Sequence, residues 1–252
     1  MKLEVLGCHG DLAPGAFSPG YLLDDRVLID AGTVCSALSH RRAMKIDHVL
    51  VSHAHMDHVK ELPFLINQVA GSRPAVQVWA AGEVLDDLSR HLFNSRLWPD
   101  FTRLPSVKSP AMKLRSLRPD RWNRVGEYRV RTLGVNHAVP TFGLFIDDGM
   151  KVLGYTSDTG PCMEFWDFAG ELGERLAAVI AEVTSPDFEQ ERAVAHGHLT
   201  PGLLCDELRR AGLEVPILAV HMKSGSVSAI ERQLGKHAVP AHICSPGDLI
   251  RI

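Results

Sequence analysis

Short apolar runs of strand length alternate along this chain with segments of helical composition. Apolar or alternating runs of about four to eight residues between Gly, Pro and Asp turns predict strands. The predicted strands are residues 1–6, 20–23, 27–29, 46–51, 75–80, 127–133, 141–146, 151–156, 178–183, 217–220 and 249–252. The predicted helices are residues 36–45, 63–70, 82–93, 169–178 and 200–211. Residues 95–124 carry four prolines and two tryptophans and are predicted to be an irregular lid or pocket wall.

The order of these elements indicates the fold class. The strands fall into two groups, each is mixed with helices, and no low-complexity linker separates them. A length of 252 residues suits one large domain or two small ones. We therefore interpret residues 1–252 as one α/β domain in which two mixed sheets pack together and the helices lie outside.

The composition excludes several classes of protein. With 45% hydrophobic residues, the chain can bury enough apolar surface to fold, so disorder is excluded as its main state. A formal net charge of -3 argues against nucleic-acid binding through overall positive charge. No apolar run reaches the roughly eighteen residues that a membrane-spanning helix needs, so we expect no membrane partner.

The cysteines and the N-terminus predict a cytoplasmic protein. Five cysteines are widely spaced and contain no Cys-x-x-Cys pair, which makes a disulfide framework or a cysteine zinc cluster improbable. Residues 1–8 are too short and too acidic for a signal peptide. Both observations fit a reducing compartment.

The strongest chemical signal is a group of histidines that directly follows the predicted strand 46–51. His53, His55, Asp57 and His58 lie within six residues. In an extended segment His53 and His55 point to the same side, so both imidazoles can reach one ion. Asp57 and His58 lie past the bend and can face a second ion. Imidazole and carboxylate ligands suit zinc, manganese or iron(II) better than calcium, so the pattern predicts a transition-metal site.

The motif His-x-His-x-Asp-His resembles the signature of the metallo-β-lactamase superfamily. This resemblance implies a four-layer αββα sandwich with a binuclear metal site at one edge. It also implies three further ligands on later strand ends, which His137, Asp158 and His221 supply in the right order. By the resemblance, one metal is held by His53, His55 and His137, the other by Asp57, His58 and His221, and Asp158 bridges the two. One departure is Glu61, which stands where the family usually has glycine.

Other residues point to one branch of that superfamily. Asp158 disfavours lactam hydrolases, which usually lack the bridging Asp, and His55 disfavours diiron oxygen-reducing members, which place a carboxylate there. The segments Glu182-Val183-Thr184 and His198-Leu199-Thr200 resemble the phosphodiesterase branch, in which the Glu orients the His. A carboxylate-backed imidazolium can protonate a poor alkoxide leaving group. The alternative is that Thr200 merely starts the helix 200–211 and that His198 is a surface turn residue.

Within this branch, residues 18–23, 154–161 and 198–204 are similar to class II cyclic-nucleotide phosphodiesterases. The resemblance implies hydrolysis of 3′,5′-cyclic AMP or GMP to the 5′-monophosphate by a metal-bridging hydroxide. Asp158, Glu182 and His198 are then the catalytic residues. The implied cofactors are two divalent ions, with zinc preferred and Mn²⁺ or Fe²⁺ as alternatives. The implied partner is a small nucleotide, and a homodimer is possible.

Four other functions stay open. The first is an RNA 3′-end processing nuclease of the tRNase Z type, although RNA binding is not the favoured interpretation. The second is a hydrolase that acts on a different small phosphodiester. Two weaker alternatives are a thioester hydrolase and a metal-binding protein without catalysis.

A basic segment between residues 113 and 131 has no assigned role. It carries seven basic and two acidic side chains, a net charge of +5 against -8 for the rest of the chain. One interpretation is an anion-attracting lip in which Trp98 or Trp122 stacks on a purine. The interpretation that we favour is a set of solvent-facing arginines. A partner-binding role for the aromatic residues is equally open.

Overall fold

The computed structural model describes all residues from 1 to 252. Its strands are β1 (Lys2–Gly7), β2 (Gly20–Leu23), β3 (Val27–Ile29), β4 (His48–Leu50), β5 (Val76–Ala80), β6 (Pro105–Ser106), β7 (Ser109–Pro110), β8 (Met112–Ser116), β9 (Asn123–Val125), β10 (Tyr128–Gly134), β11 (Phe142–Asp147), β12 (Val152–Tyr155), β13 (Leu176–Glu182), β14 (Ile217–Val220), β15 (Ala241–Ile243) and β16 (Leu249–Arg251). Its α-helices are α1 (His40–Ala43), α2 (Met56–Val59), α3 (Leu62–Val69), α4 (Gly82–Asp87), α5 (Met163–Glu171), α6 (Gln190–Ala195), α7 (Pro201–Ala211) and α8 (Val227–Lys236). A π-helical turn at Leu88–Leu92 extends α4.

Fourteen of the strands form two seven-stranded sheets, and β6 and β7 form a separate ribbon. The first sheet has the order β16-β1-β2-β3-β4-β5-β8, and the second has the order β15-β14-β13-β12-β11-β10-β9. In the first sheet β3, β4, β5 and β8 are parallel and the other pairs are antiparallel. In the second sheet the strands from β12 to β15 are parallel and those from β9 to β12 antiparallel. Both sheets are therefore mixed, as the sequence predicted.

Three hydrophobic clusters fill the spaces between four layers. The middle cluster has 21 buried residues from both sheets, such as Ile29 and Ile146. A cluster of 28 packs the first sheet against α1, α3 and α4, and a cluster of 22 packs the second sheet against α5, α7 and α8. Trp166 and Phe165 of α5 are fully buried, and such side chains each stabilise the fold by about 1.5–3 kcal/mol. The predicted αββα sandwich is confirmed.

Two predicted helices have different bounds in the structure. The helix predicted at 36–45 is only the single turn α1, because the carboxylate of Glu61 accepts hydrogen bonds from the backbone N–H groups of Val34 (2.6 Å) and Ser36 (3.2 Å) and holds this stretch as a loop. Glu61, which departs from the family pattern, thus has a structural role. The helix predicted at 169–178 is α5, which lies earlier, and Gly173, with φ of +54°, follows its end before β13 begins.

The prediction that residues 95–124 are irregular is wrong for the short ribbon β6–β7, for β8 and for the start of β9. Only Met112 of β8 is buried, because β8 lies at the edge of the first sheet and lacks the apolar alternation of an inner strand. Helix α8 was not predicted either, since it buries only Ile230 and Leu234. The short elements α2, α6 and β15 were not predicted either. The remaining elements follow the apolar pattern, including both predicted hairpins, β2–β3 and β11–β12.

The topology brings several strand ends to one edge of the sandwich. His58, which follows β4 of the first sheet, lies 3.3 Å from Asp158, which follows β12 of the second. The neighbouring parallel strands β3, β13 and β14 end at this edge as well. Carboxyl ends of parallel strands are a common place for ligand sites in α/β proteins. No helix in the structure combines the length and the apolarity required to cross a membrane.

Candidate metal centre

A first group of potential ligands is formed by three histidines and a carboxylate. His53 and His55 follow β4, His137 lies in the loop after β10, and Asp158 follows β12. The ring nitrogens His55 Nδ1 and His137 Nε2 are 3.2 Å apart. His53 Nε2 is 3.8 Å and His137 Nε2 is 4.0 Å from Asp158 Oδ2. One ligand atom from each of the four residues lies within 4.8 Å of all the others, so the group could hold a metal ion.

A second group shares the same carboxylate. It contains Asp57, His58 and His221 together with Asp158. His58 Nε2 lies 3.3 Å from Asp158 Oδ1, and His221 Nε2 lies 3.4 Å from Asp158 Oδ2 and 3.3 Å from Asp57 Oδ2. The structure thus brings all seven residues that the resemblance implied as ligands into two adjoining groups. Asp158 faces both groups, as a bridging ligand must.

The charges within these groups suit cation binding. Burial would raise the pKa of Asp158, but His221 and His58 beside it hold that pKa well below its ordinary value. Burial lowers the pKa of His53 well below its ordinary range, and the neighbouring His58 adds to this, so His53 is a neutral imidazole with a free lone pair. An ionised carboxylate beside neutral imidazole is the donor set that divalent transition metals take.

Two orphaned nitrogen atoms test whether the residues fit a metal. His53 Nε2 is buried and has no hydrogen-bond partner, and His58 Nε2 is buried without a hydrogen bond of good geometry, although Asp158 Oδ1 lies 3.3 Å away. Leaving a buried polar atom unsatisfied costs roughly 1–3 kcal/mol. The other ring nitrogens are occupied, because Ser52 Oγ lies 3.0 Å from His53 Nδ1 and Asp30 Oδ2 lies 2.8 Å from His58 Nδ1. A cation in each group would satisfy the orphaned nitrogens, so the residues fit divalent metal ions.

Asp30 supports this site, although the sequence analysis did not single it out. It is fully buried at the end of β3, and it accepts hydrogen bonds from His58 Nδ1, Tyr155 Oη (2.7 Å) and the Ser52 N–H (2.8 Å). Such a carboxylate fixes the tautomer and orientation of a ligating histidine. The available signal was an Asp at the end of an apolar strand, directly before Ala31-Gly32.

Gly10 is a second residue that the sequence analysis missed. His221 has φ of +64°, and its N–H donates to the carbonyl of Cys8 at 2.6 Å. A Cβ atom on Gly10 would lie 2.4 Å from the carbonyl oxygen of His221 and 2.8 Å from its Nδ1. Only glycine allows this close approach, so Gly10 helps to place the His221 ring.

His198 and Glu182 form a pair beside both ligand groups. His198 Nδ1 lies 3.0 Å from Glu182 Oε1, and its ring centroid lies 5.1 Å from that of His137 and 5.6 Å from that of His221. Burial lowers the pKa of His198, but the hydrogen bond and the charge of Glu182 outweigh it, so the pKa is raised. His198 therefore holds a proton more readily than a free histidine does. Thr200 does cap α7, with a 3.4 Å bond from the Leu203 N–H, but His198 is not a free turn residue.

Glu182 also reaches a residue of the second ligand group. Its Oε2 accepts a 2.8 Å hydrogen bond from Thr184 Oγ1, and that hydroxyl lies 2.9 Å from His221 Nδ1. The hydroxyl can accept from His221 and donate to Glu182 at the same time. Since Glu182 Oε1 accepts further bonds from the N–H groups of Thr159 and Leu199, its carboxylate is held rigidly. One buried carboxylate thus orients both His198 and His221.

Two recesses adjoin the site. The first, here called the apolar recess, has a volume of about 270 Å³ and is lined by His55 together with mostly hydrophobic side chains, among them Met56, Leu88, Leu92 and Leu97. The second, here called the basic recess, has a volume of about 120 Å³ and is lined by His198, Ser185, Arg192, Ala193, His196 and Lys223. The site therefore has an apolar side near His55 and a positively charged side near His198.

The arginines of segment 113–131 line neither recess. Arg129 pairs with Asp147 at 2.5 Å, at the end of β10 that lies away from His137. Trp122 packs against Phe168 and Arg129, and Trp98 packs against Phe64. These contacts favour solvent-facing arginines over an anion-attracting lip. Of residues 95–124, Leu97 lines the apolar recess.

Comparison with known proteins gives a family match and similar sequences. A family model described as a beta-lactamase superfamily domain matches residues 25–222. A probable 3′,5′-cyclic-nucleotide phosphodiesterase of Yersinia pestis is 27% identical over 179 residues, which cover 66% of this chain and 51% of that protein. The 3′,5′-cyclic-nucleotide phosphodiesterase 1 of Saccharomyces cerevisiae is 26% identical over 185 residues, which cover 63% of this chain and 48% of that protein. The matched region thus spans about half the length of these two relatives.

Solved structures of the same fold cover almost the whole chain. The metallo-beta-lactamase fold protein YhfI from Bacillus subtilis superposes with a TM-score of 0.81 at 21% identity, over 99% of this chain and 98% of its own. Unliganded yeast PDE1 superposes with a TM-score of 0.83 at 15% identity, over 95% of each chain. The short form of human tRNase Z superposes with a TM-score of 0.72 at 17% identity, over 100% of this chain and 99% of its own. At these identities the likeness concerns the fold alone.

Proposed function

This chain belongs to the beta-lactamase superfamily domain family, and on that premise we propose that it hydrolyses 3′,5′-cyclic nucleotides to 5′-monophosphates. The family supports a metal-dependent hydrolase, and two relatives at 26–27% identity carry the name of this activity. One observation favours phosphodiesterase activity over the activities of other hydrolases of this fold. It is the hydrogen-bonded pair of His198 and Glu182 beside the two ligand groups.

In this proposal one divalent ion is held by His53, His55 and His137, and the other by Asp57, His58 and His221. Asp158, which belongs to both ligand groups, would be a ligand of both ions. We propose zinc, because five of these seven ligands are imidazoles, a ligand type that zinc takes readily. When bound, the ions supply Lewis-acid stabilisation of phosphoryl oxygens and lower the pKa of water toward neutrality.

His198 acts as the proton donor. Its Nδ1 is engaged by Glu182, which leaves Nε2 free to face the phosphodiester. A ribose oxygen is a poor leaving group as an alkoxide, so a proton delivered from Nε2 lowers the barrier to its departure. The carboxylate of Glu182 stabilises the charged imidazolium, which accords with the raised pKa of His198.

The basic recess gives the substrate its electrostatic orientation. Lys223 and Arg192 line the recess beside His198, so their positive charges attract the negative phosphoryl group to this side of the site. The net charge of the whole chain is -3, so this attraction is local rather than global. That distribution suits a small anion better than a long polyanion such as RNA.

A panel of substrates tests the proposed function. Purified protein with added Zn²⁺ or Mn²⁺ is assayed on 3′,5′-cyclic AMP, 3′,5′-cyclic GMP, 2′,3′-cyclic nucleotides and a short RNA, at two salt concentrations. We expect conversion of the 3′,5′-cyclic nucleotides to 5′-monophosphates with a weak dependence on salt. RNA cleavage with steep loss at high salt, and no turnover of cyclic nucleotides, would replace this function by a 3′-end nuclease, because release of counterions scales with the number of phosphate contacts.

A further inference from the structure

The apolar recess is continuous with the candidate metal centre, because His55 belongs to both. A group that fills the recess therefore lies directly beside the first set of ligands. The volume of about 270 Å³ is slightly below the range of about 300–1,000 Å³ that holds a whole small ligand. The recess thus suits one ring system of a larger substrate whose remainder lies over the metal centre.

The rim of this recess exposes large apolar side chains. Met56 is 59% and Leu97 62% exposed, although both line the same recess. Covering such apolar side chains with a ligand removes them from water, which favours binding. Single exposed hydrophobic residues are ordinary, but two of them in one recess at the edge of a site indicate a surface that a flat ring covers.

Two polar side chains in the recess have no partner in the protein. Asp87 is half-buried and makes no hydrogen bond or ion pair, whereas the adjacent Asp86 pairs with Arg90 at 3.5 Å. His91, four residues after Asp87, also lines the recess without a partner. An ionised carboxylate only accepts hydrogen bonds, so a ligand that covers Asp87 must offer it N–H or O–H donors in place of water. Its negative charge would repel the phosphoryl group of a nucleotide, which favours placing that group on the side of the site where Lys223 lies.

We propose that the apolar recess binds the nucleobase of the substrate and that Asp87, with His91, selects guanine. The proposal rests on the proposed function. Guanine presents two adjacent donors, N1–H and the 2-amino group, which match the two oxygens of Asp87, and beside them the acceptor O6, which matches an N–H of His91. The apolar walls cover the two faces of the ring. Cyclic GMP is then the favoured substrate.

Cyclic GMP and cyclic IMP provide a matched test, because they differ only in the 2-amino group that Asp87 is proposed to bind. The kcat/KM of both is measured for the unaltered protein, for Asp87→Asn and for Asp86→Asn. We expect a preference of about tenfold for cyclic GMP, since a two-point hydrogen bond to a base edge discriminates by roughly that factor. Asp87→Asn abolishes the preference, and Asp86→Asn, one residue away on the same helix, retains it.

A second variant tests the apolar walls. Leu97→Ser raises KM for every nucleotide by roughly tenfold, because it removes apolar surface that the ring covers. It leaves hydrolysis of a base-free ribose 3′,5′-cyclic phosphate unchanged. Leu97 is exposed, so the variant folds. An equal effect on the base-free compound would contradict a base-binding recess.

The outcomes separate this inference from the proposed function. Hydrolysis of cyclic GMP and cyclic IMP at equal rates, or a preference that survives in Asp87→Asn, overturns the inference and leaves the proposed function intact. A preference for cyclic AMP over cyclic GMP also overturns the selection of guanine. If the protein hydrolyses no cyclic nucleotide, binding of the products 5′-GMP and 5′-IMP is measured by calorimetry instead. Tighter binding of 5′-GMP that depends on Asp87 would then support the recess while the proposed function fails, and equal binding would overturn both.

Discussion

Replacing His198 by alanine is expected to lower kcat about 10²–10⁴-fold while both metal ions stay bound. The imidazole is proposed to donate a proton to the leaving oxygen, and removal of a positioned general acid costs a factor of this size. His198 belongs to neither of the two groups that share Asp158. The measurement is kcat on a 3′,5′-cyclic nucleotide together with the metal content of the purified variant.

The control for this variant is His242→Ala. His242 also pairs with a carboxylate, Asp248 at 2.8 Å, but this pair lies at β15 and away from the ligand groups. We expect it to keep full turnover. Unchanged turnover in His198→Ala would contradict the assigned proton donor. Loss of one metal equivalent would instead make His198 a ligand, since Glu182, His198 and His221 are close enough to hold an ion.

Asp158→Ala is expected to remove the metals as well as the activity. Its two oxygens face His58 on one side and His53 on the other, at 3.3 and 3.8 Å, so the variant takes a charged ligand from both ions at once. Removing a residue that only hydrogen-bonds to a metal ligand weakens metal binding about 10–100-fold. Removing a ligand that both ions share should lower metal affinity by at least that factor. Elemental analysis after dialysis should give fewer than two ions per chain. A variant that retains two ions would contradict the bridging assignment.

The sequence predicted the parts of the fold and the site that local pattern determines. The apolar runs predicted most strands, and the spacing of His53, His55, Asp57 and His58 after one of them predicted a metal site. Residues that act across the fold were not predicted unless the family resemblance implied them, as it did for Asp158 and His221. Asp30 reaches Tyr155, 125 residues away, and Gly10 contacts His221, so their roles exist only once the two sheets have packed. The link from Thr184 to His221 was missed for the same reason.

Charge pattern was the weakest guide to the site. The seven basic residues between 113 and 131 left an anion-binding lip open beside the favoured solvent-facing arginines. In the structure Arg129 pairs with buried Asp147, and Arg131 lies over the ring of Phe168. The cations beside His198 are Lys223 and Arg192, which lie far from that segment in sequence. A run of like charges does not reveal which side chains neutralise buried carboxylates and which face a ligand.

Metal reconstitution tests the central claim, a two-metal phosphodiesterase, most directly. The protein is stripped with a chelator, Zn²⁺ or Mn²⁺ is added back in steps, and bound metal per chain is measured beside hydrolysis of 3′,5′-cyclic GMP and 3′,5′-cyclic AMP. The account predicts no hydrolysis without metal and full hydrolysis at two ions per chain. Full activity in the stripped protein, or a maximum reached at one ion per chain, would contradict it.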